Sequence, residues 1–196
     1  MDLQISVFLL FVLFTAGHSL DCYECMSLTG SCANQTVTTC PSGFSQCESS
    51  IVTQVGEISS ISKYKACTAD CLSMSMNIGI TRTTTSCCNT NLCNAQDAPD
   101  PGLTGKKCYY CDGQSCSKTM GCSGIEDRCI KATGTIENQS VVLKGCVSKS
   151  ICNDTTLIKN VESISCCEGN LCNGAQSVTQ SFLFLCCSLL SYFLLH

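Results

Sequence analysis

Cysteine spacing constrains this chain more than any other feature of its sequence. Twenty of its 22 cysteines form two successive sets of ten with nearly the same pattern. Each set opens with C-x2-C and closes with C-C-x4-C-N, ending at Asn94 and Asn173. Because cysteine this dense in a short chain is typical of a disulfide scaffold, the pattern predicts two small domains held together by disulfides rather than by a large apolar core.

The N-terminus has the features of an export signal. Residues 3–16 form an apolar run of signal-peptide length, and the small residues Ala16, Gly17 and Ser19 follow it. Disulfides persist in oxidising compartments, so a secretory signal agrees with the cysteine pattern. We predict a signal peptide over residues 1–19, cleaved after Ser19.

The C-terminus carries a second apolar run, over residues 182–195. Its 14 residues are fewer than the about 20 that a membrane-spanning helix needs, and no Lys or Arg follows them. Small residues at 173–175 and a polar spacer at 176–181 precede the run. Small residues, spacer and apolar tail together indicate a glycosylphosphatidylinositol (GPI) attachment signal.

The GPI prediction makes the chain a lipid-anchored protein on the extracellular face of the plasma membrane. The lipid is expected on Asn173 or Gly174, with residues 174–196 removed as a propeptide. The alternative is a short permanent anchor acylated on Cys186 and Cys187.

Residues 95–105 separate the two cysteine sets. This segment contains prolines and glycines and has no apolar periodicity, as is typical of a linker of limited reach. The two domains are therefore expected at residues 20–94 and 106–173. Motion between them is expected unless their interface is large.

Between the cysteines, the sequence predicts β-hairpins. The central segment of each domain is rich in β-branched residues and is interrupted near its middle, at Gly56–Glu57 and at Glu137–Asn138, as is typical of a hairpin. A helical pattern is weak everywhere except near residues 68–78. The expected excursions are 48–66 and 72–86 in the first domain, and 130–145 and 153–165 in the second.

The repeated pattern resembles the lymphocyte-antigen-6/urokinase-receptor (uPAR/Ly-6) family of three-finger domains. The resemblance rests on the opening C-x2-C, on ten cysteines per domain, and on the closing segments CCNTNLCN and CCEGNLCN. It implies an all-β, small disulfide-rich fold of two tandem three-finger (snake-toxin-like) domains, in which Asn94 and Asn173 hydrogen-bond the backbone at the base. The five disulfides that it implies in each domain are Cys22–Cys47, Cys25–Cys32, Cys40–Cys67, Cys71–Cys87 and Cys88–Cys93, then Cys108–Cys129, Cys111–Cys116, Cys122–Cys146, Cys152–Cys166 and Cys167–Cys172.

The available residues argue against an enzyme or a metal protein. The two histidines, His18 and His196, lie in or beside segments expected to be removed, which leaves no imidazole for a catalytic triad or a metal site. Zinc is the alternative for the C-x2-C pairs, but adjacent cysteines behind a signal peptide do not suit a four-thiolate site. No cofactor or metal is therefore expected. Nucleic acid is not expected either, since the net charge is −4 and no basic patch occurs. We interpret the scattered carboxylates as solvated surface charge: Glu57, Asp112, Glu126 and Asp127.

Three N-x-S/T sequons, at Asn34, Asn138 and Asn153, lie between cysteines on predicted loops. A glycan on Asn138 would screen the tip of the second domain's central finger from protein contacts. The central finger of the first domain carries no sequon and presents Val55 and Ile58. We therefore predict that binding uses this first finger, with core packing of either side chain as the alternative.

The resemblance implies non-enzymatic recognition at the outer cell surface. Loops on a rigid scaffold commonly carry recognition residues. The expected function is that of an anchored, glycosylated receptor or adhesion module for an unidentified extracellular or cell-surface protein. The alternatives are a modulator of a neighbouring membrane receptor, such as a nicotinic receptor, and a shed or secreted inhibitor of a protease, phospholipase or complement component.

Overall fold

Two disulfide-rich domains of β-strands make up the described part of the chain. The structure is a computed structural model that describes residues 19–56, 59–97, 101–136, 138–153 and 161–174. The predicted signal peptide up to residue 18, Ile58 and the predicted GPI tail from residue 175 lie outside the described residues.

The first domain consists of three antiparallel hairpins, one for each finger. The predicted central hairpin at 48–66 is confirmed by the pairing of β3 with β4. The helical pattern near 68–78 does not produce a helix: within the loop that the Cys71–Cys87 disulfide closes, pairing with β6 holds residues 74–77 extended as β5. The strands are β1 (Asp21–Ser27), β2 (Thr36–Thr39), β3 (Gln46–Gln54), β4 (Ser60–Thr68), β5 (Met74–Asn77) and β6 (Thr81–Cys88).

The second domain repeats this plan with one short helix. Its first finger, β7 paired with β8, begins at Leu103, inside the segment expected to be the linker. The central hairpin predicted at 130–145 is confirmed by β9 and β10. The elements are β7 (Leu103–Tyr110), β8 (Lys118–Ser123), β9 (Arg128–Ile136), β10 (Gln139–Val147), α1 (Lys149–Asn153) and β11 (Val161–Cys167).

Buried cystine fills the base of each domain. The most deeply buried residues there are Cys22 and Cys47 in the first domain and Cys108, Cys122, Cys129 and Cys146 in the second. Domains of this size bury too little apolar surface for independent stability, so cross-links supply the constraint. The ten disulfides join the same cysteine pairs that the family resemblance implies.

The closing asparagine of each domain lies buried and ties three backbone groups together. Asn94 accepts a hydrogen bond from Tyr23 N–H (2.9 Å) and donates to the carbonyls of Tyr23 (2.9 Å) and Glu48 (3.0 Å). Asn173 repeats the arrangement with Tyr109 N–H, Tyr109 C=O and Ile130 C=O. Each asparagine therefore fixes the first strand of its domain to the central hairpin.

A single sheet of nine strands runs through both domains, in the order β11-β9-β10-β5-β6-β3-β4-β1-β2. The two domains join where β10 pairs with β5, with Cys146 opposite Asn77 and Val147 opposite Met76. Ser148 N–H extends the pairing by donating to Ser75 C=O at 2.8 Å. The domains are therefore connected by backbone hydrogen bonds as well as by the linker.

First-domain side chains complete the core of the second domain. Met74 and Met76 pack against a buried cluster of four second-domain residues: Ile130, Ala132, Val147 and Ile151. Methionine suits such a contact because its flexible side chain fills irregular gaps. Burying these six side chains together favours the joined arrangement by the hydrophobic effect.

The expectation that Glu126 is a solvated surface charge is wrong. Its side chain is 0% exposed at the junction between the domains. It accepts hydrogen bonds from Ser75 Oγ of the first domain (2.8 Å) and from Ser123 N–H (2.9 Å), while Arg82 Nη2 donates to Ser123 Oγ at 2.8 Å. A buried carboxylate needs such partners, and the first domain supplies some of them.

Candidate binding groove between the domains

An open groove of about 770 Å³ lies between the first domain and the first finger of the second domain. Its walls come from the central and third fingers of the first domain, from the linker residue Asp97, and from β7 and β8. This volume lies within the range typical of ligand sites, about 300–1,000 Å³. We name this cavity the interdomain groove; the residues that line it are Ile51, Thr53, Val55, Ile61, Lys63, Asn77, Gly79, Arg82, Asp97, Tyr110, Thr119 and Met120.

Apolar side chains from both domains face one another across the interdomain groove. Ile51, Val55 and Ile61 come from the central finger of the first domain, and Tyr110 and Met120 come from the second domain. Val55 is 58% exposed, so packing in the core, the alternative considered for it, is wrong. Apolar side chains around a concave surface are typical of sites that receive one or two anchor side chains of a partner.

An ion pair forms part of the groove wall. Lys63 Nζ pairs with Asp97 Oδ2, and Lys65 Nζ lies 3.4 Å from Asp97 Oδ1. The hydrogen bond from Lys63 is the main reason that the pKa of Asp97 is lowered. Lys65 itself is buried and also donates to Gln35 Oε1 (3.0 Å) and Ala95 C=O (2.8 Å). The beginning of the linker is thereby fastened to the sheet of the first domain.

Close packing at the domain junction shapes the far end of the groove. The Tyr110 ring covers Gly79, where φ is +87° and where an added Cβ would fall within 3 Å of the ring. Arg82 lines the groove and lies 4.0 Å from Glu126 Oε1. Residues that hold the domains together therefore also bound the groove, so its shape depends on the junction.

The sequence-predicted sites are distributed over the molecule rather than gathered in this groove. The sequon residues Asn34, Asn138 and Asn153 are all exposed, and none of them lines the groove. Of the two predicted finger residues, Val55 lines the groove and Ile58 lies outside the described residues. None of the residues that line the groove is therefore a sequon asparagine.

The cysteine clusters are not thiolate sites. Three sulfurs approach one another within 4.8 Å in each domain, but all of them already belong to disulfides. A structural zinc site needs deprotonated thiols, which a disulfide does not offer. The geometry of these clusters is that of stacked disulfides at the base of each domain.

Sequence reasoning missed several residues that position the groove. Glu126 and Ser75 meet across the junction although 51 positions separate them in the chain. The methionines of β5 and the lining residues Tyr110 and Met120 also carried no local signal. A pairing between strands of different domains leaves no periodic pattern in either sequence segment, so only the three-dimensional structure identifies these contacts.

Two family comparisons match the two domains separately. The u-PAR/Ly-6 domain family matches residues 18–96, and the family described as snake toxin and toxin-like protein matches residues 106–173. Within the described ranges, no helix is both long and apolar enough to cross a membrane.

Similar curated proteins include receptors and a membrane-associated sperm protein. The urokinase plasminogen activator surface receptor of Rattus norvegicus is 33% identical over 128 residues, covering 53% of this chain and 38% of the receptor. The same receptor of Mus musculus is 31% identical over 110 residues, covering 44% of this chain and 32% of the receptor. The chain thus spans well under half of these receptors.

A third relative is matched over most of its own length. Sperm acrosome membrane-associated protein 4 of Bos taurus is 31% identical over 93 residues, which is 42% of this chain and 74% of that protein. This match, the two domain matches and the ten disulfides all indicate the same family. The chain belongs to the u-PAR/Ly-6 family, as a non-enzymatic member with two three-finger domains.

Proposed function

We propose that this protein is a GPI-anchored, glycosylated receptor or adhesion module that binds an extracellular or cell-surface protein through the interdomain groove. The observation that carries the proposal is the concave apolar surface formed jointly by Val55, Ile61, Tyr110 and Met120. A loop of the partner would insert an aliphatic or aromatic side chain between these residues. Aromatic and methionine side chains are enriched in protein interfaces, which agrees with this lining.

The scaffold favours such binding. The nine-stranded sheet holds the first-domain wall of the groove, and the disulfides Cys108–Cys129 and Cys122–Cys146 tie the separate β7–β8 hairpin of the other wall to that sheet. A preformed site loses little conformational entropy when its partner binds, so more of the contact energy is available for affinity. The absence of sequons among the lining residues keeps the groove open to a protein-sized partner.

The binding part of the proposal is tested by placing a charge at the mouth of the groove. The Val55→Asp variant of the glycosylated protein is compared with wild type in proximity cross-linking on live cells. Capture of the partner should fall at least about tenfold, because a carboxylate would be desolvated against apolar side chains. Val142→Asp is the matched control, since Val142 is an exposed valine of the other central finger.

Equal loss in both variants, or none in either, would reject the groove as the binding site. Capture of a ligand-gated channel in the same membrane would favour the modulator alternative, and capture of a soluble protease or phospholipase would favour the inhibitor. The anchor is tested separately, by treating cells with phosphatidylinositol-specific phospholipase C. Release of the protein supports a GPI anchor, and retention contradicts it.

A further inference from the structure

Two lysines face each other on the central hairpin of the second domain. Lys144 of β10 and Lys131 of β9 are direct cross-strand partners. Like charges in this position destabilise a sheet. Lys131 is exposed, but Lys144 is only 8% exposed, so the protein covers most of its side chain.

Lys144 has no anionic partner among the described residues. Its Nζ lies 5.8 Å from the centre of the Tyr109 ring, and within the described ranges neither an ion pair nor a hydrogen bond is formed by it. Burial is the main cause that lowers the pKa of Lys144, and the charge of Lys131 adds to it. Lys65, the comparably buried lysine of the first domain, has two hydrogen-bond acceptors and Asp97.

Lys144 lines a cavity with room for the missing anion. The cavity has a volume of about 440 Å³ and opens beside Gly174, whose backbone lies against the Tyr109 ring. Ser117 also lines it, and the hydroxyl of Ser117 pairs with Ser115 Oγ at 2.7 Å. A lysine ammonium without an anionic partner among the described residues, on the same cavity as a serine, has the chemistry that recognises an oxyanion, because hydrogen bonds between charged groups are the strong ones.

We propose that this cavity, bounded by Tyr109, Ser117, Lys144 and Gly174, binds a phosphate or sulfate group. Lysine commonly binds such tetrahedral anions as a point charge, and an anion here would also relieve the repulsion from Lys131. The site is separate from the interdomain groove and goes beyond the proposed function.

Two sources of this anion are chemically equivalent. A GPI lipid is joined to its protein through an ethanolamine phosphate, and attachment at Gly174, which bounds the cavity, would bring that phosphate next to it. A phosphorylated or sulfated group on a separate molecule is the other source. The test must therefore compare lipid-bearing and lipid-free protein.

The experiment titrates two forms of the chain with inorganic phosphate and with sulfate at constant ionic strength. One form is the full chain from animal cells, purified in detergent. The other stops after Gly174 and so retains every residue that the structure describes. The Tyr109 ring resonances are followed by NMR. We expect saturable binding to the shorter form, weakened about tenfold or more by Lys144→Met.

Binding to the shorter form alone identifies the anchor phosphate as the occupant in the full chain, whereas binding to both forms identifies a separate ligand. Lys149→Met is the control, since Lys149 is exposed and does not line the cavity. In buffer without the anion, Lys144→Met should also have a higher unfolding temperature than wild type, because the substitution removes a charge from a largely buried side chain. No saturable response in the shorter form, or an unchanged response in Lys144→Met, overturns the proposal.

Discussion

At the scale of single residues, the Asn-Leu-Cys-Asn segment that closes each domain shows how local contacts stabilise a domain with a small core. Leu92 and Leu171 adopt positive φ angles of 56° and 57°, and their N–H groups donate to Asp21 C=O and Lys107 C=O, each at 2.7 Å. A non-glycine residue holds such a conformation only where its surroundings enforce it. Here the neighbouring disulfide and the buried closing asparagine supply that constraint.

Replacing Asn94 by Ala should destabilise the protein by about 2–4 kcal/mol. The change leaves Tyr23 N–H, Tyr23 C=O and Glu48 C=O buried without their hydrogen-bond partner. Denaturant unfolding with the disulfides intact measures the difference. Asn89→Ala is the control, because Asn89 lies in the same closing segment and is exposed. A loss as small as that of the control would show that water replaces the side chain at no cost.

The closing asparagines were predictable and the buried charges were not, for a physical reason. Asn94 and Asn173 follow cysteines at a fixed spacing, so a local motif marks them. Glu126 and Lys144 have no such mark, because their burial comes from Ser75 of another domain and from Tyr109 of another finger. Side chains whose environment is built by distant segments cannot be separated from solvated charges by sequence alone.

At the scale of elements, the central hairpins could be predicted from the sequence, but the contacts that hold the linker against the first domain could not. Cysteine positions and β-branched runs located both central hairpins, since each hairpin is a local structure. The segment 95–97 has the composition of a free linker, yet Ala95 and Asp97 bind Lys65 and Lys63 of β4. Composition indicates that a segment does not form a core, but not whether it packs against one.

Replacing Asp97 by Asn should reduce stability at neutral pH by up to about 1 kcal/mol, as expected for a partly exposed ion pair. Because the native pKa of Asp97 is lowered, its contribution is fully present above the unfolded-state pKa of about 4 and is lost as the pH falls through the native value. Unfolding temperatures of wild type and Asp97→Asn should therefore begin to converge below about pH 4 and meet below the native pKa of Asp97.

The control for this pH series is Asp70→Asn, which changes an exposed carboxyl group in the turn after β4. A gap between wild type and Asp97→Asn that stays constant from neutral to acidic pH would contradict the ion-pair explanation. Such a result would mean that the amide disturbs the linker by its shape rather than by its missing charge.

At the scale of the whole molecule, the junction between the domains decides whether the interdomain groove exists. Motion between the domains was expected unless their interface was large, but β5 and β10 join them into one sheet and Met74 and Met76 enter the second-domain core. Arg82 lines the groove and also donates a hydrogen bond to the buried Ser123 Oγ at the junction. Opening the junction would therefore remove the groove, and a partner in the groove would stabilise the junction by linkage.

Gly145→Ala tests this dependence. An added Cβ would fall within 3 Å of both Asn77 C=O and the Cα atom of Ile78, so the pairing of β10 with β5 cannot persist unchanged. We expect a loss of about 1–3 kcal/mol, faster amide exchange at Met76 and Val147, and a larger radius of gyration by small-angle X-ray scattering. Gly169→Ala is the matched control, since its Cβ would meet the Cys172 Cβ at an ordinary 3.6 Å. If Gly145→Ala kept the wild-type radius and partner capture while exchange increased, the second-domain core would be holding the groove without the strand pairing.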